Sequence, residues 1–146
     1  MGTEARLKPV RSAMVRTATR WFLAVVYFAA GAIHIAAPEP FLGIMPAFVP
    51  YAEAVVFWTG VAEIMGAIGL AQGISPALRR AAAIGLALYA LCVWPANIQH
   101  MIDDLADPAG GLGLAYHVPR MIAQPIIIWA ALWAGKAIDW PFAKRA

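Results

Sequence analysis

Charge is what this sequence has least of: 13% of its 146 residues are Asp, Glu, Lys or Arg, against roughly 25% in soluble domains. With 62% hydrophobic residues and a mean hydropathy of +0.70, a water-soluble fold of this length would expose apolar patches that monomers avoid. Cysteine is nearly absent too. Its single copy, Cys92, lies in an apolar run. That excludes an intrachain disulfide, a CxxC redox pair and a cysteine zinc cluster, and leaves a buried packing role. There is no Walker loop, dinucleotide glycine fingerprint or Ser-His-Asp order. Gly110-Gly111-Leu112-Gly113 follows a polar loop and not a strand, so it reads as a linker. The net charge of +3 does not come from a basic, aromatic-interleaved stretch, so nucleic acid is not an expected partner.

What is present is four apolar runs, each near the ~20 residues that cross a hydrocarbon core. They predict an all-α fold: a transmembrane four-helix bundle with a Pro-rich interfacial loop between the first two helices. A basic cytoplasmic arm at 1–20 precedes a transmembrane domain at 21–140, with spans at about 21–37, 52–71, 79–101 and 118–138, and a short basic tail at 141–146 follows. The first run is longer than a signal peptide's usual ~7–15 apolar residues, and Pro38 follows Ala36-Ala37 directly, so it reads as a span. Pro95 is expected to kink the third span. The segment 38–50 has four prolines among Phe41, Leu42, Ile44, Met45, Phe48 and Val49. Such a segment packs on the helix ends as a lid, because irregular backbone at membrane depth needs protein cover.

Ten of the eleven Lys and Arg fall in the arm, the turn at Arg79-Arg80, or the end of the fourth span and the tail. The positive-inside rule then gives a multi-pass protein of a bacterial inner membrane with both termini cytoplasmic and Glu39, Glu53, Asp103, Asp104 and Asp107 outside.

Ionisable groups within a span are expensive and therefore candidates for function. His34 lies fourteen residues past Arg20, ~21 Å at 1.5 Å per residue, and Glu63 lies ~14 Å from the opposite side, so the two are within side-chain reach in depth. An imidazole beside a buried carboxylate can exchange a proton near neutral pH, which makes His34 and Glu63 the candidate acid/base pair. Asn97 and His100, and Arg120 and Gln124, share helix faces in the outer half. Asn97, Arg120 and Gln124 are the candidate substrate-binding groups, converging with the pair on one outward-facing site. The same groups also suit helix packing: Glu63 as partner of Arg120 or His34, Asn97 and Gln124 as interhelical hydrogen bonders beside glycines at three-residue spacing. Asp103-Asp104-Leu105-Ala106-Asp107 spells DDxxD but has no second acidic motif, so it reads as a solvated loop. His100 and His117 flank it at a spacing that matches no zinc signature, and no metal site is assigned.

Gly31-Ala32-Ile33-His34 followed by Pro38, Phe41, Ile44 and Pro46, then Gly60-Val61-Ala62-Glu63 with Gly66 and Gly69, then Trp94-Pro95-Ala96-Asn97-Ile98, then Pro119-Arg120 with Gln124, resembles the DoxX-like family of small four-span membrane proteins over about residues 20–135. The resemblance implies a four-helix membrane bundle and an accessory role in membrane redox complexes, such as thiosulfate:quinone oxidoreduction or thiol oxidation. The lone Cys92 departs from members that work by a cysteine pair.

Two functions remain in view. One is a membrane redox subunit or enzyme that takes a quinone-like or other apolar small molecule from the bilayer, with no tightly bound cofactor expected. The other is a non-catalytic module that assists assembly of a membrane partner or forms a homo-oligomer.

Overall fold

The structure, a computed structural model, describes residues 3–108 and 111–141, with side chains from residue 12 onward. Among the described residues it is all-helical: α1 (Thr3–Ala36), the short α2 (Glu39–Leu42), α3 (Ala52–Ala71), α4 (Pro76–Ala106) and α5 (Gly113–Ala134). Most of the tail expected at 141–146 lies outside the described residues. Three helices are long and apolar enough to cross a membrane: Ser12–Ala36 within α1, α3 and α4. The fourth, α5, is long enough, but His117, Pro119, Arg120, Gln124 and Pro125 dilute its apolar character.

Several expected boundaries move. The expected arm and first span share one helix, since α1 runs unbroken through residue 20. Helix α4 continues beyond the expected third span, through Pro95 to Ala106, and carries Asp103 and Asp104 on the helix itself. At 31 residues α4 is ~46 Å long, more than a ~30 Å hydrocarbon core is thick. The fourth helix begins at Gly113, five residues before the expected Val118, and ends at Ala134, where Gly135 caps it and Lys136 takes a left-handed φ of 61°.

The elements pack α1 on α3, α3 on α4, α4 on α5 and α5 back on α1. Their shared core is small-sided: Leu23 and Tyr27 from α1, Ala67 and Leu70 from α3, Ala83 and Leu86 from α4, Ala130, Ala131 and Ala134 from α5. Large apolar side chains such as Phe22, Phe28, Trp58, Met65, Leu88 and Ile126 point outward. Cys92 points outward with them. The packing role expected for a buried thiol is therefore overturned: its position on α4 faces away from the other helices.

Two devices set the geometry of the site. At the α1/α3 crossing, a Cβ on Gly60 would sit 2.8 Å from the Gly31 carbonyl oxygen and 2.9 Å from the His34 Cβ. Only glycine lets the backbones come this close. At the α3–α4 turn, Ser75 caps α4 by accepting from the Leu78 N–H (3.2 Å), with Pro76 at the first position. Gln72 closes the turn: its Oε1 accepts from the Ile74 and Ser75 N–H groups, and its backbone carbonyl accepts from Arg79. Arg16 pairs with Asp139 (2.7 Å), and Arg80 donates to the Lys136 carbonyl (3.1 Å). These contacts gather Arg16 of α1, the α3–α4 turn and the segment after α5 at one end.

Candidate functional site

The close α1/α3 crossing brings His34 and Glu63 together: His34 Nδ1 lies 2.9 Å from Glu63 Oε2. The same nitrogen lies 2.9 Å from the Ala30 carbonyl oxygen one turn back. Both neighbours are acceptors, so Nδ1 carries the hydrogen. That hydrogen is directed at Ala30, which leaves Glu63 Oε2 buried with no hydrogen bond of its own. The nearest polar neighbour of that oxygen is the imidazole itself. Both side chains are enclosed, 13% and 5% exposed. Phe41 of α2 stacks on the imidazole at 3.7 Å between centroids and 21° between planes, so the Pro-rich segment covers the pair.

A third helix contributes a hydroxyl. Tyr89 of α4 lies near the Glu63 carboxylate, and Tyr27 of α1 packs edge-on against the Tyr89 ring at 6.4 Å. The Tyr27 hydroxyl is buried without a partner. The sequence reading missed Tyr89, because a tyrosine within an apolar run looks like any core or interfacial aromatic.

Tyr89 also lines both grooves on the outer face of α3 and α4. One, about 290 Å³, is walled by Ala62, Met65, Gly66, Gly69, Leu78, Ala82, Gly85 and Leu86 as well. The other, about 580 Å³, runs past Pro50, Tyr51, Ala54, Val55, Trp58, Thr59 and Ala62. Apart from Tyr89, the walls are mostly small or apolar, and no candidate polar residue from the sequence lines either groove.

The remaining candidates form a second cluster between α4 and α5. Arg120 donates through Nη1 to His100 Nδ1 (2.9 Å) and through Nη2 to Asn97 Oδ1 (2.6 Å). Its guanidinium lies 5.6 Å from the centre of the Tyr116 ring. No ion pair joins Glu63 to Arg120 among the described residues, so the single convergent site expected from shared depth divides into two. Gln124 is buried on α5 one turn beyond Arg120.

Beyond Arg120 lies Asp104, which is a structural anchor rather than part of a solvated loop. Its Oδ1 accepts from the Leu112 N–H (3.0 Å) and its Oδ2 from the Gly113 N–H (3.1 Å), which caps α5 from the preceding helix. Its Oδ2 also lies 3.0 Å from His117 Nε2. Gly111 lies against the carboxylate so closely that a side chain there would overlap it.

No curated protein and no solved structure matches the chain. The stretch from Leu23 to the last residue of α5 holds both polar clusters and the grooves. That same stretch, residues 23–134, matches the model of a family described as a domain of unknown function, DUF8561, and the chain belongs to that family.

Proposed function

We propose that this is an integral membrane protein with four spans in the manner of DoxX-like proteins, and that it binds a lipid-soluble small molecule with a hydrogen-bonding head, quinone-like in character. The ligand enters sideways from the bilayer through the α3/α4 grooves, and its head reaches Tyr89. Behind Tyr89, Glu63 and His34 hold an exchangeable proton, shielded from water by Phe41. The observation that carries this reading is a single residue: Tyr89 lies near the buried carboxylate and also lines both apolar grooves.

Orientation belongs to the same proposal. The gathering of Arg16, Arg79, Arg80 and Lys136 at one end supports cytoplasmic termini in a bacterial inner membrane. In this reading Arg120, Asn97 and His100 satisfy one another and lock α4 to α5. That mutual closure favours, for this cluster alone, the packing role of a non-catalytic module.

The experiment is a titration of protein in nanodiscs with a short-chain quinone, read by quenching of Trp58 against a Trp58→Phe control. Gly85 lines the smaller groove and has no atom within 4 Å of an added Cβ. Gly85→Leu therefore fills the groove without straining the helix. Saturable quenching that Gly85→Leu weakens supports the proposal. Linear quenching, identical in both proteins, would refute it.

A further inference from the structure

We propose that His100, Asp104 and His117 form a binding site for a zinc-like divalent metal ion where the end of α4 meets the start of α5. His100 and Asp104 stand four residues apart on α4 and so share a face, while His117 comes from α5. One ligand atom from each lies within 4.8 Å of the other two. Contraction by up to about 1.5 Å brings such atoms to the spacing of ligands around a tetrahedral metal at ~2.0–2.2 Å. Two imidazoles and one carboxylate are borderline donors that suit zinc and its late first-row neighbours, and they leave positions open for water.

Two features show a site prepared in advance. Asp104 is fixed by the backbone N–H groups of Leu112 and Gly113, so its carboxylate needs little ordering to bind. His117 is completely buried and meets Asp104 through Nε2, the nitrogen it would offer the ion, so its ring is already held in place. Because α4 outruns the hydrocarbon thickness, its end lies where an ion can arrive from water.

Arg120 is the competitor. A neutral imidazole has one lone pair, and that of His100 accepts from Arg120. The ion needs the same lone pair. Binding must therefore release Arg120 from His100 while its contact with Asn97 remains. Arg120 and the metal are alternative cations for one pocket, which the acids Asp103 and Asp104 flank.

The test is a titration of untagged, chelator-stripped protein in detergent with Co²⁺, followed by displacement with Zn²⁺. A single equivalent of Co²⁺ should give visible d–d bands that Zn²⁺ abolishes and Mg²⁺ does not. His100→Ala should lose saturable binding. Arg120→Gln should bind roughly tenfold to a hundredfold more tightly, the worth of one charge-assisted hydrogen bond. Absence of saturable bands in the wild type overturns the proposal, as does unchanged binding by His100→Ala or weaker binding by a folded Arg120→Gln. If either variant fails to fold, the wild-type titration decides.

Discussion

Replacing His34 with Ala should harm the fold more than replacing Glu63 with Gln, although both changes break the same contact. The asymmetry follows from what each survivor can do. Without His34, the carboxylate of Glu63, 4% exposed, loses the cation that faces it. Left charged, it costs about 3–5 kcal/mol. Protonation is the alternative, and for an ordinary carboxylic acid at neutral pH that costs about 3–4 kcal/mol. Without Glu63, an imidazolium sheds its proton at neutral pH for less than about 1 kcal/mol. His34 then keeps its Nδ1–H bond to the Ala30 carbonyl. Glu63→Gln should therefore cost about 1–2 kcal/mol and His34→Ala about 3–4 kcal/mol. The double variant, with neither charge stranded, should recover about 2 kcal/mol of the summed single losses. The assay is reversible unfolding in mixed micelles, followed by helicity for all four proteins. Equal costs for the two singles, or an additive double, would refute the reasoning.

Gly60→Val places a branched side chain against the Gly31 carbonyl and His34, and neither backbone can yield. The expected loss is about 1–3 kcal/mol in the same unfolding assay, and a variant as stable as wild type would show that the crossing is looser than described. Cys92 faces outward and works without a second thiol. Cys92→Ser should leave quinone binding and stability unchanged; a folded Cys92→Ser protein that no longer binds quinone would contradict its placement. A cysteine introduced at Leu112 into a Cys92→Ser background should react with an impermeant thiol reagent added outside intact cells, whereas reaction only after permeabilisation would reverse the orientation.

The helical character and three apolar spans were legible because lipid imposes the simplest of patterns, a run of apolar residues as long as the bilayer is thick. Helix ends were not. Asp103-Asp104 reads as loop because acids end apolar runs, yet α4 continues as regular helix through both to Ala106. Depth arithmetic brought His34 and Glu63 to one level, and the glycines at three-residue spacing gave the close approach. The same arithmetic could not separate Arg120 from that pair, because depth says nothing about which neighbour a helix face meets. His117 and Asp104 were hidden for another reason: they stand thirteen positions apart across a turn, and no short-range pattern encodes a helix end capped from the preceding helix.

Difference infrared spectroscopy of quinone addition tests the central claim most directly, because it reads the buried carboxyl itself. Binding at Tyr89 should perturb one carboxyl band in the wild type, and that band should be missing in Glu63→Gln and shifted in Tyr89→Phe. Identical difference spectra for wild type and a folded Glu63→Gln protein that binds quinone equally well would contradict the account.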